Sequence, residues 1–274
     1  MTADTMLPTD RFCPVRPPDD GQTGPVDEQN IVVGWPLAVV LVLLTAAGAL
    51  AVRLGRIDGW RPVVTAALRA AVQLAAVSSL ITVVLASGWL TTGFVLLMFG
   101  IAAYTSAGRI ARAGGRPTLR ALPGPVAAIA GGVGPVLVLL LGTGIVPPKP
   151  VVVIPVAGIL IGGAMSATSL AGRRARDELH HRRGELEAAL ALGLLTRDAA
   201  LLITRPTASQ ALVPVLDQTR TVGLVTLPGA FVGVLLGGGD PIQAGVTQLV
   251  VLVSLLAIEA VAVLVTIEVV ARTP

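Results

Sequence analysis

The sequence predicts an all-α membrane protein, with about seven transmembrane helices and a cytoplasmic helix–turn–helix insert. Three observations carry this. Apolar residues fill 54% of the 274 positions and charged residues only 13%, about half the roughly 25% charge of a soluble domain. The apolar residues fall in nearly uncharged blocks of about 20 residues or more, the length that crosses ~30 Å of hydrocarbon. The basic residues lie mostly between alternate blocks, as in proteins that thread a bilayer. Mean hydropathy is +0.82. The net charge of +4 and a pI near 10.5 therefore read as basic loops at a lipid bilayer rather than as a nucleic-acid surface.

Residues 1–30 are polar and contain Pro8, Pro14, Pro17, Pro18 and Pro25. They lack the basic-then-apolar order of a signal peptide and are expected to form a disordered extracytoplasmic tail. Cys13 is the single cysteine and can form no internal disulfide. The apolar transmembrane region covers 31–272, with spans at about 31–52, 62–86, 89–108, 121–145, 151–172, 211–236 and 242–270. Pro123, Pro125, Pro135, Pro147 and Pro148 leave a broken or re-entrant segment open for the fourth and fifth spans. Pro228 and Gly229 are expected to kink the sixth, because proline removes an intrahelical hydrogen bond. Gly158 and Gly162 stand four apart, as do Gly229 and Gly233. That spacing lets helix backbones approach closely in lipid, although glycine is common in membrane helices in any case.

Arg and Lys placement sets the orientation. Arg53, Arg56 and Arg61 follow the first span, and Arg109, Arg112, Arg116 and Arg120 follow the third. Arg173, Arg174, Arg176, Arg182, Arg183, Arg197 and Arg205 follow the fifth, and Arg272 ends the seventh. These are fifteen of the 20 basic residues, and Arg11, Arg16 and Lys149 fall on the other side. An inner (plasma) membrane protein is expected, with its N-terminus outside and its C-terminus in the cytoplasm.

The polar stretch 173–207 separates the fifth and sixth spans. Its charges are dense to Glu187, and Leu186, Leu190, Leu194 and Leu195 then recur around Gly193. Thr196 can cap a second short helix, and Asp198 complements its dipole. A two-helix loop tethered between spans is a poor DNA reader, and no nucleic-acid partner is expected. Glu187-Ala188-Ala189 is followed after three residues by Gly193, after nine more by Ile203, and after two more by Pro206. This spacing resembles the EAA loop of ABC-transporter permeases. Arg205 departs from it, standing where that loop has an apolar residue. A short amphipathic helix with a glycine turn can enter a groove on an ATP-binding subunit, so these six residues are the candidate ATPase contact. An amphipathic loop lying in solvent is the plainer alternative.

No Walker A pattern is present: the one lysine, Lys149, precedes Pro150. Adjacent His180 and His181 do not share a helix face as ligands at i and i+4 would. No nucleophile elbow, zincin motif or dense metal-ligand cluster occurs, so the chain does not read as an enzyme, and any metal site is unknown.

Two further segments carry a family resemblance. One is Val153-Ile154-Pro155-Val156-Ala157-Gly158, continuing to Gly162-Gly163-Ala164-Met165. The other runs from Asp217-Gln218-Thr219-Arg220-Thr221 through Pro228-Gly229 to Gly239-Asp240-Pro241. Together they resemble the permease family typified by the bacterial iron exporter FetB, which includes plant aluminium-tolerance membrane proteins. The resemblance implies a permease paired with a separate ATP-binding subunit. ATP-Mg would sit on that partner, with no cofactor in this chain and a second permease copy completing a homodimer. It also implies export of iron, another metal or a small solute.

Arg69, Asp217, Arg220 and Glu259 fall inside apolar spans. Each costs ~2.5–3.5 kcal/mol on insertion scales, so such charges pair or face a cavity. Asp217, Arg220 and Thr221 share a helix face by spacing, and Arg69 lies at a depth where it could meet Asp217. These five are the candidate translocation residues, and ion pairs that only fix helix register are the alternative. Gln73, Ser166, Thr168 and Thr221 are the polar residues to consider if the charges do not form the route. Glu268 and Arg272 form an i,i+4 pair near the cytoplasmic surface. A proton-coupled secondary transporter using Asp217 and Glu259 is the competing function, and it needs no ATPase-coupling insert.

Overall fold

The computed structural model describes residues 34–57, 59–111 and 119–273. The expected tail, Arg112 and Arg116 lie outside the described residues. The described helices are α1 (Trp35–Leu54), α2 (Trp60–Leu85), α3 (Gly88–Ile110), α4 (Pro123–Gly142) and α5 (Pro150–His181), then α6 (Arg183–Ala191), α7 (Thr196–Ala208), α8 (Val213–Thr221), α9 (Gly229–Leu236) and α10 (Pro241–Arg272). Seven helical segments are long and apolar enough to cross a membrane: α1 to α5, the α7–α8 stretch Thr196–Thr221, and α10.

Proline positions explain several starts. Pro36, Pro123, Pro150, Pro214 and Pro241 lie in first turns, where the missing N–H costs no intrahelical bond. Asp240 caps α10, its Oδ2 accepting from the Ile242 and Gln243 backbone N–H groups at 3.0 and 3.3 Å. Pro135 and Pro155 lie inside α4 and α5, which continue unbroken. The fourth and fifth spans are thus whole helices rather than broken or re-entrant segments.

Two compact units divide the chain, residues 1–76 and 77–274. In the first, α1 meets the start of α2: a methyl built on Gly48 would lie 3.7 Å from Val63. The Arg53 and Arg61 guanidinium groups stand 6.0 and 5.5 Å from the Trp60 ring centroid, within cation–π range.

The second unit is built around α10, which packs against α4, α5, α7, α8 and α9. Ile129 of α4, Leu160 of α5 and Ile258 of α10 are fully enclosed at its centre. Contacts give the helix directions. Met98, Ser106 and Ile110 of α3 meet Gly158, Ser169 and Gly172 of α5 in ascending order, so those helices are parallel. Gly124 and Gly132 of α4 meet Val269 and Ile258 of α10 in descending order, so those are antiparallel. The Ser169 hydroxyl bonds the Ser106 hydroxyl at 3.1 Å and the Met165 carbonyl at 2.7 Å. This gives α3 and α5 a polar clasp in an otherwise apolar interface.

One end of the unit collects the basic side chains. Arg176 of α5 donates to the Ile110 carbonyl at the end of α3, at 3.4 Å. Arg197 of α7 and Arg272 of α10 both reach Glu268, at 2.5 and 2.9 Å. Lys149 lies at the opposite end of α5, at its N-cap.

The sixth passage departs from a single kinked helix over 211–236. It starts earlier, in α7, passes a 3-10 turn (Ser209–Ala211) into α8, breaks, and resumes as α9. Arg197 meets Glu268, Ala211 packs with Val263, and the Phe231 N–H donates to Gln248 Oε1 at 3.3 Å. From Glu268 to Gln248 is about 30 Å of helix at 1.5 Å per residue. The α7–α9 path thus runs antiparallel to α10 over one hydrocarbon thickness. Between α8 and α9, Gly223 has φ +80° and Pro228 is the N-cap of α9. The kink expected at Pro228–Gly229 is therefore a full interruption.

The polar stretch is also arranged differently from a free-standing insert. Residues 173–181 continue α5, and α7 packs back on the bundle, burying Ile203 and Leu201 with Leu179, Ile267 and Val270. Only α6 and the turn after it project. Arg182, at their junction, bonds Glu178 and Glu185. The Arg182 hydrogen bond holds the Glu185 carboxyl below its ordinary range.

Candidate transport site and coupling surface

Glu259 is the charged residue that the second unit encloses. It lies on α10 about 20 Å from Arg272 along the axis and is 8% exposed. Glycine makes room for it. A methyl built on Gly163 of α5 would come within 2.8 Å of Glu259 Oε1 and 2.5 Å of Leu255 Cδ2. Glu259 has no ion pair or side-chain hydrogen bond among the described residues. Its carboxylate faces a cavity of about 320 Å³ between α5, α8 and α10. Ser166 and Gln218 add polar atoms to that cavity, and Ile159, Leu170, Val215 and Leu255 give it apolar walls.

The other charges expected in the second unit, Asp217 and Arg220, lie outside this cavity's lining. Asp217 and Arg220 pair with each other along α8 at 3.9 Å, with side chains 63% and 73% exposed. Thr221 donates to the Asp217 carbonyl at 2.8 Å. Arg69 and Gln73 belong to α2 in the first unit. Asp217, Arg220 and Glu259 thus do not share one interior face within the single chain: helical spacing turns Gln218, not Asp217, towards Glu259. Thr168 is fully enclosed, its hydroxyl without a hydrogen-bond partner among the described residues, whereas Ser166 borders the cavity. Gly163 and Gln218 are the site residues that sequence reasoning passed over. Their signal was the Gly162-Gly163 pair in an apolar helix and the one-face spacing of Ala211, Pro214, Val215 and Gln218.

The packing glycines also sort themselves. A methyl on Gly158 would meet the flexible end of Met98 at 2.9 Å, while one on Gly162, Gly229 or Gly233 would meet nothing within 4 Å.

At the basic end, Glu187 pairs with Arg183 at 2.9 Å and stays exposed, as does Ala188. Ala189 is buried against the fold. Gly193 closes the turn with φ +89°, in the left-handed region that favours glycine. Leu192 and Leu195 beside it are 82% and 72% exposed. Ile203 is buried against α5 and α10, and Pro206 lies exposed within α7. The set therefore spans α6, the turn at Gly193 and α7, with Ala189 and Ile203 buried and Glu187, Ala188 and Pro206 exposed. Among the described residues, no group of three or more His, Cys, Asp or Glu side chains is placed to hold a metal ion.

The profile of the Uncharacterised protein family (UPF0014) matches residues 34–274. The chain belongs to the UPF0014 family. UPF0014 relatives include the "UPF0014 membrane protein STAR2" of rice, 32% identical over 218 residues, covering 78% of this chain and 73% of STAR2. "Protein ALUMINUM SENSITIVE 3" of Arabidopsis thaliana is 35% identical over 61% of this chain and 59% of its own. The "Probable iron export permease protein FetB" of Escherichia coli K12 is 34% identical over 47% of this chain and 50% of FetB. No solved structure matches the chain. The match takes in every described helix, so cavity and turn both lie within the UPF0014 region. This UPF0014 protein is a multi-pass membrane protein of a family with a named permease.

Proposed function

We propose that this protein is the permease subunit of an ATP-driven exporter, powered by a separate ATP-binding subunit that carries ATP-Mg. Two copies of the chain would form the pathway in the plasma membrane, with the N-terminus outside and the basic end in the cytoplasm. The observation that carries the reading is the turn at Gly193. It exposes Leu192 and Leu195 at the basic end, and the helix that follows is anchored to α5 and α10 through Ile203. Apolar side chains offered to solvent at a membrane protein's end mark an interaction site. A rigid helix leading from them to α10 is a means of passing motion to the Glu259 cavity. FetB's name supports iron as cargo, and the wider reading is export of another metal or a small solute. A proton-coupled carrier centred on Glu259 would have no use for the exposed turn.

The test is capture and coupling. Gly193→Pro and Glu187→Lys should reach the membrane at normal levels, lose retention of a separate ATP-binding subunit, and stop ATP-dependent transport. Full retention and full transport in both variants would remove the coupling role.

A further inference from the structure

We propose that the cavity between α5, α8 and α10 binds a primary organic ammonium ion. Glu259, Gln218 and Ser166 accept its three N–H groups, and Ile159, Leu170, Val215 and Leu255 hold its carbon body. The ligand's being cargo rests on the permease reading, whereas its binding does not.

The inference starts from an imbalance. Glu259 is 8% exposed, and an enclosed carboxylate is costly unless a positive charge or several donors compensate it. None of the residues lining the cavity is Lys, Arg or His. A ligand cation in the cavity would supply the positive partner that its lining lacks.

The donor set then selects the kind of cation. Hard divalent ions take six to eight oxygen ligands. The lining offers three oxygen-bearing side chains and one formal charge, and helix carbonyls of α5 and α10 are engaged in their own ladders. Softer metals need imidazole or thiolate, and the lining has neither. A quaternary ammonium is recognised by aromatic faces, and no aromatic residue borders the cavity. A primary ammonium presents three N–H donors, matched one for one by a carboxylate, an amide oxygen and a hydroxyl. The apolar walls and a volume of about 320 Å³ suit a short hydrocarbon body better than a hydrated inorganic ion. Gly163 fits the same purpose, since any side chain there would displace the Glu259 carboxylate.

The experiment is equilibrium binding of radiolabelled phenethylamine to the full chain in lipid nanodiscs, without an ATP-binding partner. Saturable binding is expected. Phenethyl alcohol should not compete, the N,N,N-trimethyl analogue should compete about tenfold more weakly or worse, and Fe(II) or Mn(II) should not displace the probe. Glu259→Gln should weaken binding about tenfold or more, as expected for losing a charge-assisted hydrogen bond. Ser166→Ala and Gln218→Leu alter exposed side chains and should each weaken it a few-fold, which keeps the test decisive if Glu259→Gln misfolds. Absence of saturable binding, equal competition by the trimethyl analogue, displacement by Fe(II), or unchanged affinity in a folded Glu259→Gln protein would each overturn the proposal. Those results would leave the ATPase-capture test untouched. Conversely, amine binding with no captured ATPase would retain this site and refute the pump.

Discussion

Gly132 and Gly163 determine how closely α4 and α5 approach α10. A methyl on Gly132 would lie 2.7 Å from the Ile258 carbonyl oxygen, a backbone atom that no rotamer change can move. Gly132→Ala should therefore destabilise the protein by ~1–3 kcal/mol, the usual cost of overpacking. The neighbouring Gly131→Ala, which meets nothing within 4 Å, should be neutral or slightly stabilising. Thermal unfolding of the two purified proteins in one detergent checks this, and equal midpoints would contradict it. The sequence showed which glycines share a helix face, at 158 and 162 or 229 and 233, but not which face meets a neighbour. Glu259 was legible because a lone carboxylate in an apolar run needs compensation. Its companions Gly163 and Gln218 were not, because each becomes notable only when another helix brings the carboxylate alongside.

At the scale of elements, α7 is the link between the projecting turn and the bundle. Arg197 joins it to Glu268 through two hydrogen bonds, at 2.5 and 2.8 Å. Both side chains are partly exposed, so the pair contributes only ~0–1 kcal/mol to stability. Its expected value is in transmission. Arg197→Glu and Glu268→Arg should each lower ATP-driven transport several-fold while leaving the unfolding midpoint nearly unchanged, and the double exchange should recover much of the transport. Loss of stability equal to the loss of transport would instead make the pair structural. Gly193→Ala forces a β-carbon into the left-handed region and should cost ~1 kcal/mol. It should weaken capture of the ATP-binding protein less than Gly193→Pro does. Helix starts were readable from Pro123, Pro150 and Pro241. The start and the break of the sixth passage were not, because the charges of 173–207 masked α7 as part of a polar insert, and its packing along α10 became visible only in the fold.

For the whole molecule, the alternation of basic loops and the parallel run of α3, α5 and α10 agree on one polarity. Single cysteines at Ala3, Gly114 and Thr273, after Cys13→Ser, should separate accordingly. An impermeant thiol reagent added to intact cells should label position 3 and spare 114 and 273. Labelling of 114 from outside would reverse the proposed orientation. The helical class and the seven apolar segments were legible because lipid demands long uncharged helices. The division of labour among those helices was not, since it depends on which small residues face α10. The interruption after Thr221 has a mechanical meaning. The backbone N–H groups of Gly223, Val225 and Thr226 are closed on the Thr226 and Thr221 carbonyls, so the bend carries its own hydrogen bonds. Helix α8 is nine residues and α9 eight, two short struts on a self-contained knuckle. A tilt delivered to one strut can be taken up at the knuckle while the other keeps its contacts with α10.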